Sequence, residues 1–306
     1  MVTQPDRPAG RGHKLTPTPV KRAAEARGLR IFTPERLKPF ADEARALGAD
    51  AFVVASYGRI VPQALLDVVP IAFNVHPSLL PLYRGATPLQ SAIRDGRAET
   101  GVTIIAMDAG MDTGDVLLQE RTPIGPEETY GELHDRLAQR GAALVLDALE
   151  GFANGALQRR PQNEVARELG ISDEQVARTL TRPLKKEDLE IDWSCAPDAI
   201  VNQVRSLAPQ PLARTTTFVE PLKIVRAHTV TLDELGRELG GVVGSSGSQL
   251  LAGGTPGHYR LYGVRPNGHD NGAVIVDRVI APNRGPIDAD VYARGVIARF
   301  RGENFA

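Results

Sequence analysis

The sequence predicts an α/β domain built on a doubly wound, mostly parallel sheet, followed by a small β-barrel. Three observations point there. From residue 19 to about 150, short apolar runs alternate with amphipathic stretches, the order produced when helices cross over a parallel sheet. The run AFVVAS (51–56) is continuously apolar and β-rich, as in a strand covered on both faces. In the last third, short β-like runs are punctuated closely by Gly, Pro and Asn, which favours a barrel over further α/β structure.

Each element follows from its local pattern. VKRAAEARG reads as a helix stopped by Gly28, and RIFTP as a short strand. ERLKPFADEARALG is helical, with Pro39 arguing for a break or a late start. After AFVVAS comes the strand IAFNVH, then the helix TPLQSAIRDG, with Thr87 as N-cap, Pro88 at the first helical position and Gly96 as the stop. GVTIIAMD and VLLQER are two more strands. TYGELHDRLAQRGAALVLDALEGF is a long helix that opens on a capping box, Thr129 to Glu132, and carries Leu133, Leu137, Leu144, Ala148 and Phe152 on one face. Residues 159–193 are highly charged, without strand alternation, and read as linker and surface helix. PDAIVNQVRSLAP is an amphipathic helix. ARTTTFV, PLKIVRAHTV, GGVVGSS, SQLLAGG, HYRLYGV and GAVIVDRVI are the strands of the barrel.

Composition bounds the function. The 306 residues suffice for two ordinary domains, and a formal net charge of −1 excludes a wholesale polycation while leaving room for a local basic patch. The one cysteine, Cys195, permits no internal disulfide, fits a reducing compartment and reads as an inert thiol. No apolar run reaches membrane-spanning length and no signal peptide opens the chain, so a cytoplasmic protein with no membrane partner is expected.

Chemistry concentrates at one strand end. Asn74 and His76 are two residues apart in a strand, so both project from the same face just before Pro77. A second polar cluster, MDAGMDTGD (107–115), follows a later strand; if the strands are parallel, both ends share an edge, and Asp108, Asp112 or Asp115 could meet the pair. Its plainer reading is a Gly-rich turn whose aspartates bond the local backbone. An Asn, a His and an Asp without Ser or Cys make a poor nucleophilic triad. They suit proton movement and carbonyl polarisation between two bound reactants, hence acyl transfer. Metal-ligand spacings such as HxxxH or CxxC are absent from the cluster, so no metal is expected. The opening segment TQPDRPAGRGHKLTPTPVKR carries Arg7, Arg11, His13, Lys14, Lys21 and Arg22, either a solvated loop or a basic finger for a phosphate backbone.

FNVHPSLLPLYRGATPLQSAI followed by ETGVTIIAMDAGMDTGDVLLQE closely resembles the methionyl-tRNA formyltransferase family, and the basic opening segment is similar to that family's tRNA-contacting loop. The resemblance covers nearly the whole chain and weakens in the C-terminal third. It implies a Rossmann-like formyltransferase domain over residues 1–180, a linker over 181–198 and an OB-like, tRNA-binding β-barrel over 199–306. By resemblance, Asn74, His76 and Asp112 are the catalytic set, Asp112 being singled out by its place before TGD. The implied donor is 10-formyltetrahydrofolate and the acceptor is the α-amine of initiator methionyl-tRNA. Asn74 and His76 would then stabilise the oxyanion while Asp112 holds His76 and helps relay protons. Ser78, Leu79, Leu80 and Pro81 match the family's folate-binding strip; Tyr57, Arg59, Ile60 and Val61 match the segment that lines the pteridine pocket. Arg84 and Gly85 also fit the pattern. Arg11, with Arg7 and Lys14, stands where the family contacts tRNA. A monomer without metal or DNA is implied.

Two departures stand out. Family members begin with a strand, a Gly-Thr-Pro turn, a helix and a second strand before TQPD, whereas here only Met1 and Val2 precede it. A βα unit on the order of thirty residues is thus missing, through a misassigned start or a truncation. Unpaired strand edges and a gap under the helices are expected from its loss. APQPLART lacks an aromatic that relatives tend to carry between the prolines. Two alternatives remain: a folate-dependent formyltransferase acting on a small amine or sugar nucleotide, and an inactive folate- or RNA-binding remnant.

Overall fold

A computed structural model of the chain describes residues 1–9, 14–216, 220–240, 250–253, 258–264 and 272–301. In chain order its elements are β1 (Arg7–Ala9), β2 (Lys14–Thr16), α1 (Pro19–Glu25), α2 (Leu37–Arg45), β3 (Phe52–Ala55), α3 (Gln63–Leu66), β4 (Ala72–His76), α4 (Pro88–Arg94), β5 (Glu99–Ala106), β6 (Val116–Pro123) and α5 (Tyr130–Ala153). There follow α6 (Gln162–Glu168), α7 (Asp173–Arg178), α8 (Pro197–Leu207), β7 (Ala213–Thr216), β8 (Pro221–Thr231), α9 (Leu232–Leu239), β9 (Leu250–Gly253), β10 (Arg260–Val264), β11 (Gly272–Ile280), β12 (Pro286–Asp288) and α10 (Ala289–Arg301). The chain divides into two compact units. One comprises Met1–Arg84, Val102–Glu120 and Arg140–Arg178; the other comprises Gly85–Gly101, Arg121–Gln139 and Thr179–Ala306. Among the described residues, no helix is long and apolar enough to cross a membrane.

The α/β character is as expected, on a mixed sheet of order β3-β4-β5-β6. β3 and β4 are parallel, from Phe52↔Ala72 to Ala55↔Val75. β5 runs antiparallel to β4, with Phe73 opposite Ala106 and His76 opposite Thr103. Within the first unit, Phe73 and Val75 face α5: Phe73 meets Phe152 edge-on at 6.0 Å, and a Cβ on Gly141 would lie 2.7 Å from Val75. The opposite face of β4, carrying Asn74 and His76, is left for loops. Leu80, Ile105, Val116 and Val165 form a small core, and a second one joins α2 and α3 through Leu37, Phe40, Ala44, Val61 and Leu65.

Several sequence expectations change in this unit. AFVVAS is not covered on both faces: β3 is an edge strand whose exposure alternates, with Val53 47% exposed. RIFTP contributes one bridge, Val2 to Phe32, because the two segments align over too few residues to extend a ladder. The basic opening segment contains a hairpin, β1 against β2, where a loop is expected.

In the second unit an antiparallel sheet of order β7-β8-β11-β10-β9, with β12 beside β11, curls as a half-barrel around an apolar core. α8 and α10 supply Ile200, Val204, Leu207, Tyr292 and Val296 to that core. Trp193 is anchored there by an indole hydrogen bond to Thr215 Oγ1 at 2.9 Å. The charged segment after residue 159 is not wholly surface: α6 buries Val165 and Ala166 in the first unit, and Leu189, Ile191 and Trp193 enter the core of the second. Thr87 occupies the expected N-cap position of α4, yet its hydroxyl donates to the Arg182 carbonyl at 3.0 Å. The expected strand GGVVGSS lies outside the described residues, except Gly240, which caps α9 in a left-handed conformation.

Candidate active site

His76 ends β4, just before Pro77 breaks the ladder, and its ring is almost fully buried, with 3% of the residue exposed. Its Nε2 lies 2.9 Å from the carbonyl oxygen of Tyr83. A carbonyl only accepts, so Nε2 carries the proton and donates it there. In the neutral ring Nδ1 is then the bare nitrogen, and it faces Asp112 Oδ2 at 3.6 Å. Asn74, on the same face, donates from Nδ2 to Asp112 Oδ1 at 3.3 Å. One carboxylate thus stands before both side chains. Burial pushes the His76 pKa below its ordinary value, while Asp112 and the Tyr83 carbonyl pull it up and Arg84 adds to the depression.

The route by which Asp112 arrives differs from the parallel-strand expectation. Because β5 is antiparallel, its C-terminal end lies beside the start of β4, where Met107 N donates to Ala72 O at 2.8 Å. The loop 107–115 turns back over the sheet to bring Asp112 to Asn74 and His76. Asp108 holds that loop by accepting from Gly110 N at 3.0 Å and from Thr113 Oγ1 at 2.8 Å, the structural part foreseen for one of the aspartates. Gly114 is packed so closely that an added Cβ would fall 1.8 Å from Ala106 O. Asp112 (φ 56°) and Tyr83 (φ 59°) are both left-handed, the latter conformation costing about 1–3 kcal/mol for a residue of its bulk.

Two amides, the half-buried Gln119 and the buried Gln162, complete the surroundings. Gln119 Nε2 donates to Leu80 O (3.0 Å) and to Thr103 Oγ1 (2.9 Å); Thr103 Oγ1 donates to Ser78 O (2.6 Å) and accepts from Leu80 N (3.2 Å). They clamp the strip 78–81. Gln162 donates to the carbonyls of Asp112 and Gly114, both at 2.8 Å, and accepts from Arg84. A polar residue inside each apolar strand run, Thr103 and Gln119, is a signal that could have been read; Gln162, in a charged stretch, gives none.

Of the strip, Ser78, Leu80 and Pro81 are buried and Leu79 is half-buried. The Ser78 hydroxyl is spent on Leu82 O at 2.7 Å, and the main-chain groups of Ser78 and Leu80 are bonded within the protein, which leaves the Leu79 side chain as the strip's partly exposed surface. Because β3 and β4 are parallel, the segment 57–61 leaves the sheet at the same edge as His76. There Ile60 is 85% exposed, Val61 is buried, Arg59 donates to Glu35 O at 2.9 Å, and the buried Tyr57 hydroxyl has no hydrogen-bond partner among the described residues. Arg7 pairs with Thr16 and Lys14 with Ala9, which puts both exposed cations on one face of the β1–β2 hairpin. Lys21 is paired with Asp6 at 2.8 Å, and Arg11 lies outside the described residues. Among the described residues, no three His, Cys, Asp or Glu side chains are grouped to hold a metal ion.

Residues 1–149 match a family model described as formyl transferase, and residues 183–295 match the formyl transferase C-terminal domain. A methionyl-tRNA formyltransferase of Symbiobacterium thermophilum is 40% identical over 301 residues, covering 96% of this chain and 84% of that one. One of Solibacter usitatus is 46% identical over 234 residues, 76% of this chain and 72% of its own. Among solved structures, HypX from Aquifex aeolicus in complex with tetrahydrofolic acid superposes with a TM-score of 0.59 at 18% identity; the match spans 92% of this chain and 44% of that longer one. The N-formyltransferase from Helicobacter canadensis, in complex with folinic acid and dTDP-3-aminofucose, gives 0.60 at 18% identity over 90% of this chain and 86% of its own. At these identities the structural likeness is one of fold.

Proposed function

This chain belongs to the formyl transferase family, and we propose that it transfers the formyl group of 10-formyltetrahydrofolate to the α-amine of initiator methionyl-tRNA. It is a formyl-transferring enzyme. The observation that carries the mechanism is the single Asp112 carboxylate held before Asn74 and His76. The depressed His76 pKa keeps the ring neutral near pH 7, with Nδ1 bare. Nδ1 is therefore the atom that takes a proton from the attacking amine and gives it up again when the donor's formyl C–N10 bond breaks and N10 departs. Once protonated, the ring stands between two acceptors, Tyr83 O and Asp112 Oδ2, which stabilise the imidazolium. Asn74 uses one N–H on Asp112 and offers the other to the oxygen on which negative charge develops.

The folate, when bound, supplies the activated formyl group. The residues at the sheet edge fit such a ligand: Tyr57 brings a buried hydroxyl without a partner among the described residues, Ile60 an exposed apolar surface, Leu79 and the main chain of Ser78–Pro81 a clamped rim, with Arg59 and Val61 alongside. Arg7 and Lys14, with Arg11, are the cations for the tRNA backbone. The catalytic domain spans residues 1–180, the linker 181–198 and the tRNA-binding domain 199–306. The chain acts as a monomer in the cytoplasm, without metal.

The test is formylation of methionyl-tRNA by the purified chain with 10-formyltetrahydrofolate, beside His76→Ala. Expected is tRNA-dependent turnover that the substitution lowers by about 10²-fold or more. Transfer to a small amine that ignores tRNA, or an unaffected His76→Ala, overturns the reading.

A further inference from the structure

We propose that Gln162 is a positioning residue for this reaction, its side-chain amide holding Asp112 and the Tyr83–Arg84 segment in the register that His76 requires. The proposal rests on the functional reading above. Arg160 forms an antiparallel bridge with Val116, the first residue of β6, both hydrogen bonds being 2.9 Å long. Gln162, two residues on at the start of α6, is thereby brought beside the loop 107–115. It is 4% exposed.

Its amide is fully used. Nε2 donates one hydrogen to Asp112 O and the other to Gly114 O, both at 2.8 Å. Oε1 accepts from Arg84 Nε at 2.9 Å and Nη2 at 2.7 Å. The orientation is unambiguous, because carbonyls only accept and a guanidinium only donates. A glutamate of the same shape could keep the Arg84 contacts but would turn an oxygen onto two carbonyl oxygens.

The two groups joined by this amide are the two that flank His76. On one side it grips Asp112 at its own carbonyl, where φ is 56°. On the other it holds Arg84, whose neighbour Tyr83 supplies the acceptor for His76 Nε2. The partners of Nδ1 and Nε2 are therefore tied to one another through Gln162. A side chain that served stability alone would need neither connection to be specific.

The experiment compares wild type, Gln162→Ala and Gln162→Glu in three measurements: kcat and KM for methionyl-tRNA, the His76 imidazole titration by NMR (assigned with His76→Ala), and thermal melting. The charged groups that face His76 are Asp112 from the loop and Arg84 from the segment after the strip; Tyr83 O adds a dipole. Expected for the folded variants is kcat lowered about 10- to 100-fold with KM changed less than about twofold. The His76 titration should shift further down as Asp112 withdraws. Glutamate keeps the side-chain volume if the alanine variant fails to fold. A folded variant with wild-type kcat and an unmoved titration, or melting alone lowered, overturns the proposal. If wild type itself transfers no formyl group, the functional reading fails, and the titration still decides whether Gln162 sets the His76–Asp112 geometry.

Discussion

Replacing Gly114 by alanine would put a methyl carbon 1.8 Å from Ala106 O and 2.9 Å from its carbonyl carbon. Carbon–oxygen contacts normally begin near ~3.3 Å, so one partner must retreat by more than about 1 Å. Ala106 is the less free of the two: it is buried and lies in register with Phe73, itself packed under α5. The loop moves instead, and Asp112, two residues away, moves with it. Its contacts to Asn74 at 3.3 Å and His76 at 3.6 Å have no slack for such a shift. A displacement of about 1 Å at a catalytic group costs about 10²-fold in rate, or about 2.7 kcal/mol in the barrier. Stability should fall by no more than this. Overpacking costs about 1–3 kcal/mol, offset by about 0.4–1 kcal/mol of lost unfolded-state entropy. The assay is single-turnover formylation at saturating substrates, with urea denaturation of the same samples. Gly295→Ala, whose methyl would meet nothing within 4 Å, is the control. Near-wild-type turnover in folded Gly114→Ala would refute the coupling between loop packing and Asp112.

Two titrating groups carry further outcomes. Burial holds the folded His76 pKa below 6.5, so the native state binds fewer protons than the unfolded chain just below that pH. This contribution to stability is complete above 6.5 and is lost as pH falls toward the folded pKa, with a slope of at most about 1.4 kcal/mol per pH unit. Urea midpoints measured for His76→Gln should therefore depend less steeply on pH, and the acidic limb of wild-type kcat/KM should have its midpoint below 6.5. Asp188 behaves as a depressed carboxylate: the Arg182 guanidinium and the Lys185 N–H pull its pKa from 3.8 to about 2. Its stabilisation is present above 3.8 and disappears as pH falls through about 2, so Asp188→Asn should melt lower than wild type at neutral pH and match it at the acidic end.

Much of the fold was legible because its signals are local. The capping box Thr129–Glu132 is present in full, with Thr129 N donating to Glu132 Oε2 at 2.8 Å, and Leu133, Leu137 and Ala148 are buried as the helical period requires. The same signature, Thr231 to Glu234, opens α9 and could have been read as readily. Strand direction was not legible. An apolar run reads the same in either sense, and a connection containing α4 suits a parallel crossover, yet β5 returns antiparallel to β4. Val53 was misjudged because continuous apolarity cannot distinguish an edge strand from a covered one.

The site divides along the same line. Asn74 and His76 could be paired from sequence because a strand repeats every two residues and fixes their common face. Asp112 could not be chosen among three aspartates by spacing, because the choice is made by what captures its neighbours. Asp108 is taken by Gly110 and Thr113 within its own turn, whereas the Asp112 carbonyl is held by an amide 50 residues further on. Thr103, Gln119 and Gln162 each hold at least one backbone carbonyl, and every residue has one. Those carbonyls leave no mark in the sequence to betray the pairing. On the proposed function, the groups that face the reactants are set by short-range periodicity, while the groups that aim them are set by closure of the chain. Substitutions at the aiming positions should accordingly weaken turnover while leaving every recognisable motif intact.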